Sequence, residues 1–312
     1  MLFRDTLERV LFLRKVAQLG NLPAGPLSAL GEAMRERTFT AGSLIIPPQD
    51  GKHRDLVIVA SGTVALTHKG EAAWTTDEPH ALNFLFLFVA NAEVAVKAVT
   101  DATVLLLPAI ALRDVLEDSF EVTALLLRNR AAFIASGGLK RFALRLEERE
   151  DDDVALPLED DLVSRILALR AISPIREMEL DAIANIARVA KRVDYTRGDS
   201  VFVKGEPSQR IVLVLSGLLE LSDPESKETS SAGAGAAVGV LDVLAAAGYW
   251  FDAKAGAGLA TLEVAAEDLF DILEDHAESS QRLLAFFAEL TLRIFTSSHE
   301  ESQRVEAQKG AA

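Results

Sequence analysis

With 312 residues, 49% of them apolar and 25% charged, the chain has an ordinary globular composition and room for two domains of about 100–150 residues. It contains no cysteine, which excludes disulfides, thiolate nucleophiles and Cys-ligated zinc or iron–sulfur sites, and fits a reducing cytoplasm. Its formal net charge of −15 repels phosphate backbones and anionic lipid, so neither nucleic acid nor membrane is an expected partner.

The N-terminal stretch "MLFRDTLERVLFLRKVAQLG" mixes acidic and basic residues into its apolar pattern and lacks the apolar centre of a secretion signal. Short strands rich in Val, Ile and Leu follow, including "FTAGSLI" from Phe39 and "LVIVASGTVAL" from Leu56. They are punctuated by Gly42 and Gly62, where tight turns need positive φ. The run "VLLLPAIAL" falls short of the roughly 18–20 residues that span a bilayer, and Pro108 interrupts it. "DVLED", from Asp114, then leads into a long helix, "SFEVTALLLRNRAAFIASGGLKRFALRLEER". The densest basic cluster, Lys140, Arg141 and Arg145, sits beside the acidic run "EEREDDD" and makes no basic patch. Around Pro157, residues 149–161 read as an exposed acidic linker.

Beyond the linker the same landmarks return in the same order. The stretch "REMELDAIANIARVAKRV" is helical, with Leu180, Ile183, Ile186 and Ala190 at helical spacing. "YTRGDSV", from Tyr195, matches "FTAGSLI", and "IVLVLSGLLEL", from Ile211, matches "LVIVASGTVAL". Gly198 and Gly217 take the turn positions of Gly42 and Gly62, and "DILED", from Asp271, matches "DVLED". The offset is about 155 to 157 residues throughout, the mark of a duplicated unit. Between the strands, "SDPESKETSSAGAGAA" (222–237) is rich in Ser, Gly and Ala and reads as a mobile loop. The second copy closes with "ESSQRLLAFFAELTLRIFTSSHEES", in which Leu283, Phe286, Phe287, Leu290 and Ile294 line one face. The expected domains are therefore 1–148 and 162–312.

Helix, then Gly-punctuated strands, then long helix resembles the cyclic nucleotide-binding domain, the family of the catabolite activator protein and of the regulatory subunits of cyclic-AMP-dependent kinase. In the second copy, "YTRGDSVFVKGEPSQRIVLVLSGLLEL" carries the likeness through Gly198–Asp199, Gly205–Glu206 and Ser216–Gly217. In the first copy, "TAGSLI", "VIVASGTVAL" and "VKAVTDATVLLLP" carry it, the last resembling the strand pair after the nucleotide loop. The resemblance implies an α+β fold of two tandem domains. Each would be a small antiparallel β-barrel (jelly roll) flanked by helices, with a long C-terminal helix.

It also implies a phosphate loop that starts with Gly-Glu and ends about ten residues later with Pro-Arg. A short helix N-terminus offers N–H groups to the cyclic phosphate, the arginine grips it, and the glutamate accepts from the ribose hydroxyl. In the second copy Gly239 matches the leading glycine, but Val240 stands at the glutamate, followed by Leu241. Gly248 and Tyr249 stand at Pro-Arg, with Trp250 next. In the first copy Leu82 and Asn83 replace Gly-Glu, and Ala92 falls at the arginine. Losing one partner of a buried charge pair costs about 2–5 kcal/mol, roughly 30- to several-thousand-fold in affinity. These positions are therefore expected to hold no cofactor.

Nothing else in the sequence competes. Lys254 lies too far along to replace the arginine and reads as a solvated strand lysine. Tyr249 and Trp250 could stack on a planar ligand, but an adjacent aromatic pair more often covers a core. His53, His68, His80, His276 and His299 lack metal-ligand spacing, and "RGD" from Arg197 reads as a turn. There is no G-x-S-x-G elbow and no Walker A loop, so no catalysis is expected. With only "VEAQKGAA" after the second long helix, no DNA-reading helix-turn-helix is expected. The expectation is a cytoplasmic, non-catalytic regulatory or scaffold protein that binds another protein, with long helices that could dock that partner, pair the two copies with each other, or pair two chains in a homodimer through the C-terminal helices. The rival expectation is a small-molecule sensor whose pocket, lined by Val240, Leu241, Tyr249 and Trp250, has been re-tuned.

Overall fold

The computed structural model describes residues 2–16, 18–47, 55–68, 71–83, 87, 94–136, 160–172 and 174–291. Outside them lie Ala92, His53, His299, the basic cluster at 140–145, linker residues 149–159, the second half of the first long helix, and Ile294. By internal contacts the chain divides into two units, Met1–Leu126 with Ala288–Ala312, and Leu127–Phe287.

Unit 1 opens with α1 (Thr6–Leu13) and α2 (Ala24–Ala33). Seven strands follow: β1 (Arg35–Phe39), β2 (Leu44–Ile46), β3 (Leu56–Ser61), β4 (Val64–His68), β5 (Glu71–Thr76), β6 (Val94–Ala98) and β7 (Ala102–Leu107). Then come α3 (Ala109–Asp118), which starts after Pro108, and α4 (Phe120–Ser136), which runs across the division between the units. The strands form two antiparallel sheets, in the orders β1-β7-β3 and β2-β6-β4-β5. Ile45, Val57, Val59, Val64, Val96 and Val104 fill the space they enclose.

Unit 2 contains α5 (Leu162–Arg170) and α6 (Leu180–Val189), then β8 (Lys191–Asp194), β9 (Ser200–Phe202), β10 (Arg210–Ser216) and β11 (Leu219–Ser222). It continues with β12 (Thr229–Ala232), β13 (Ala237–Val238), α7 (Val240–Ala245), β14 (Asp252–Ala255), β15 (Ala260–Ala265), α8 (Ala266–Asp275) and a last helical run, 277–291, of which residues 288–291 fall to unit 1. Its sheets run β13-β10-β15-β8 and β12-β11-β14-β9, all antiparallel. Apart from β13, these are the strand orders of unit 1. The fold is α+β, two β-sandwiches flanked by helices, as the resemblance implied.

The repetition extends to single side chains. Asp5 caps α1 by accepting from the Glu8 N–H at 2.9 Å; Asp161 caps α5 by accepting from Val163 and Ser164 N–H at 2.9 and 3.0 Å. Arg9 Nη1 donates to the carbonyls of Gly31 and Met34 at the end of α2 (3.4 and 2.8 Å). Arg165 Nη1 does the same to Ala187 and Ala190 at the end of α6 (3.3 and 2.7 Å). After β3 and β10 the chain turns at Gly62 (φ 81°) and Gly217 (φ 73°). A Cβ there would lie 2.2 Å from Asp101 O and 2.3 Å from Gly258 O, so only glycine fits either turn.

Two expectations need correction. Residues 222–237 are not an unstructured loop. β11 and β12 pair from Leu219↔Ala232 to Ser222↔Thr229, and Ala237 pairs with Leu213. The turn between them is pinned by Lys204 Nζ, 2.7 Å from Asp223 Oδ1 and 3.1 Å from Glu225 Oε1. Asp223 is held down at about 2, first by that lysine. Leu180, placed on the apolar face of its helix, is exposed at the first residue of α6, whereas Ile183 and Ile186 are buried. Leu283 and Phe287 are buried, and Leu284 and Ala288 join them.

Candidate functional site

In unit 2 the segment at the expected phosphate loop is a left-handed glycine followed by a short helix. Gly239 adopts φ 84°, and the six-residue helix α7 starts at Val240. The helix ends at Ala246, itself left-handed at φ 51°. The chain then returns along the turn that follows β9. Gly205 N–H donates to Tyr249 O (2.7 Å), Tyr249 N–H to Glu206 O (2.9 Å), and Ser208 N–H to Ala247 O (3.2 Å). A Cβ on Gly248 would lie 3.1 Å from Gly205 O, which explains a glycine in the position where Pro was expected.

This return brings Tyr249 back over the start of the loop. A Cβ built on Gly239 would lie 3.3 Å from Tyr249 Cε1 and 3.4 Å from Phe202 Cζ. Tyr249 and Phe202 are 4% and 2% exposed, and their rings stack with centroids 4.0 Å apart. Phe251 meets Phe202 edge-on at 6.1 Å. The Tyr249 hydroxyl donates to Arg210 O at 2.8 Å and accepts from Arg210 N–H at 3.3 Å. A buried phenol is thus paired with the Arg210 backbone, and burial pushes its pKa up. Val240 is buried too, while Leu241 and Trp250 are half-buried, Trp250 edge-on against Phe251 at 4.8 Å.

Sequence reasoning missed Phe202, Asp242 and Arg210. Phe202 sits on β9, far along the chain from the loop, and nothing local marks it. Asp242 is a buried acid inside α7. Arg210 begins β10, and its guanidinium stands 5.4 Å from the Phe202 ring centroid. Its Nε pairs with Glu263 Oε2 at 2.9 Å and its Nη2 donates to Val201 O at 2.7 Å. The Tyr195 hydroxyl donates to the other Glu263 oxygen; burial, helped by that carboxylate, pushes Tyr195 up to about 12. Arg210 is therefore engaged within the protein. Lys254 is exposed on β14, in register with Glu220. Both line an open cavity of about 530 Å³ with Leu221, Ser222, Thr229, Ser230 and Ser231, none of which belongs to the loop.

In unit 1, residues 80–83 lie along β3 and make no glycine turn. Val59 N–H donates to His80 O (3.1 Å) and Leu82 N–H to Val57 O (2.9 Å). Asn83, 1% exposed, carries the pairing on with its side chain. Its Oδ1 accepts from Val57 N–H at 2.8 Å and its Nδ2 donates to Asp55 O at 2.9 Å. Leu82 is part of the sandwich core. Beside them His80 is 2.8 Å from Gln18 Nε2 and stacks on Trp74 at 5.5 Å, and burial lowers its pKa. Among the described residues no three His, Asp or Glu side chains come together as a metal site, and no helix is long and apolar enough to cross a membrane.

Residues 192–276 match the family model for the cyclic nucleotide-binding domain. Unit 2 carries a cyclic nucleotide-binding domain. The match spans its loop and both of its sheets. No curated protein matches the chain. Among solved structures it is similar to a regulatory subunit of a cAMP-independent protein kinase A from Trypanosoma brucei, with 15% identity over 88% of this chain and 90% of that one and a TM-score of 0.35. It is also similar to the regulatory domain of Toxoplasma gondii protein kinase A co-crystallised with cAMP (16%, 90% and 97%, 0.33). A regulatory subunit of a cAMP-independent protein kinase A from Trypanosoma cruzi, bound to guanosine, is similar as well (14%, 95% and 95%, 0.35).

Proposed function

We propose that the protein is a non-catalytic regulatory module whose cyclic nucleotide-binding domain is filled by its own aromatic side chains and which acts through contacts with other proteins. One observation carries this reading: Tyr249, at the position expected to hold the arginine, is buried against Phe202 and Gly239 with its hydroxyl tied to the Arg210 backbone. A nucleotide entering the loop would have to expel that ring and break those bonds, and would find neither Glu at Val240 nor Arg at Tyr249 to compensate. The same packing favours a self-filled loop over an open, re-tuned pocket. In unit 1, Asn83 is committed to the β3 edge and offers nothing to a ribose.

Calorimetric titration of the full chain with cyclic AMP and with cyclic GMP tests the proposal. No saturable heat is expected at millimolar nucleotide. Saturable micromolar binding of either one would overturn it.

A further inference from the structure

In unit 1 one neutral amide meets both a titratable ring and a buried backbone N–H. Gln18, in the connection between α1 and α2, places its Nε2 2.8 Å from Nε2 and 3.2 Å from Nδ1 of His80. Its Oε1 accepts from the Ala81 N–H at 3.4 Å. That N–H is turned away from β3, because Ile58 and Ala81 face each other between the bonds made by Val59 and Leu82. Ala81 is 2% exposed, so its N–H depends on Gln18. The His80 ring also stacks on Trp74 of β5, with centroids 5.5 Å apart and planes 17° from parallel.

This geometry suits one charge state of the ring. Neutral imidazole keeps a lone pair that accepts from Gln18, whereas imidazolium carries two N–H donors and no acceptor. Turning the amide round does not help, because its NH2 would then face the Ala81 N–H. Protonation therefore breaks one of the two Gln18 contacts whichever way the amide lies. The Trp74 contact responds in the opposite sense, since an indole face attracts a cation. Among the described residues Glu78 is the charged group that acts on the ring, and it too favours the cation. Arg14, which follows α1, is tied to the Gly20 and Leu22 carbonyls, and Lys15 and Asp77 are exposed. Unit 2 lacks the arrangement. Val214 N–H donates to Ala236 O as Val59 N–H does to His80 O, and Ser230 pairs with Leu221 as Trp74 does with Leu66.

We infer that Gln18, His80 and Trp74 form a pH-operated latch in unit 1. The neutral ring clips the α1–α2 connection to the segment along β3; the protonated ring releases Gln18 and stays on Trp74. Val16, Leu19 and Leu22 are buried, so the helices stay docked and the change is confined to Gln18 and the Ala81 N–H. Burial outweighs Glu78 and keeps the ring neutral at pH 7, so the latch opens on acidification below about 6.5. The device is independent of the unit 2 loop and stands whether or not nucleotide binds there.

The chain has two tryptophans, so Trp250→Phe leaves Trp74 as the reporter in an otherwise intact protein. Its emission and the exchange of the Ala81 amide are followed from pH 7.5 to 5. A cationic imidazole in contact quenches indole, so emission should fall along a one-proton curve with its midpoint below 6.5. Over the same range Ala81 should lose about tenfold in protection, once the ordinary pH dependence of exchange is divided out. His80→Phe should abolish both changes. Gln18→Glu should invert the second, because its carboxylate accepts from both the imidazolium and the Ala81 N–H. Its midpoint should lie above the parent's, with Ala81 better protected as the ring charges; a Gln18 that only fills space would move neither. The proposal is overturned by flat emission, by a titration that survives His80→Phe, by Ala81 protection that ignores the titration, or by a Gln18→Glu midpoint no higher than the parent's.

Discussion

The two copies treat the same stretch of chain in opposite ways. In unit 2 the left-handed Gly239, the short helix α7 and the return strand are all kept, and the enclosed space is filled by Tyr249 and Phe202. In unit 1 no such turn begins among the described residues 77–83 that follow β5. Residues 80–83 are laid along β3, and the Asn83 side chain takes two main-chain hydrogen bonds. One copy preserves the frame and occupies it; the other turns the start of the frame into extra sheet. The stretch is held by aromatic packing in one copy and by a buried amide in the other.

The strongest way to break this comparison is Phe202→Ala. The ring is buried, so its loss should cost unit 2 about 3–5 kcal/mol. Denaturant unfolding should show an early transition; an unchanged one would mean that the aromatic pair does not hold the loop. In unit 1, Asn83→Ala strands the Val57 N–H and the Asp55 carbonyl and should cost about 1–3 kcal/mol. A change under half that size would show that water replaces the amide freely. Tyr249→Phe keeps the stack and removes only the hydroxyl bonded to Arg210, so about 1 kcal/mol is expected in the same assay.

The smallest effect is a pH dependence confined to unit 1. Burial depresses His80 below its ordinary value of about 6.5, so the unfolded chain takes up the proton first. Stability should be complete above that value and fall as pH drops through it towards the folded pKa, as the Gln18 donor comes to face a cationic ring. A melting series from pH 7.5 to 5 should lose this slope in His80→Phe; an equal slope in both chains would assign it elsewhere.

The duplication and the α+β class were legible in the sequence because glycines mark the turns. Gly62, Gly217 and Gly239 sit where the backbone admits little else. The filling of the loop was half legible. Tyr249 stood out at the arginine position, but its stacking partner Phe202 arrives through sheet pairing from a distant strand. The β11–β12 hairpin was hidden because Ser, Gly and Ala read as flexible. Its order comes from ladder hydrogen bonds and the Lys204–Asp223 pair, which no local pattern reveals. Leu180 misled because helical spacing cannot show that the first residue of α6 overhangs the core.

The central claim is that the unit 2 loop is closed on its own aromatic side chain before any ligand arrives. Amide hydrogen exchange at Gly205 and Tyr249, whose N–H groups zip the loop shut, reads this directly. The account predicts that both amides are strongly protected in the free chain and that neither cyclic AMP nor cyclic GMP changes their rates. Fast exchange that slows when either nucleotide is added would contradict it, because the loop would then be an empty site waiting for its ligand.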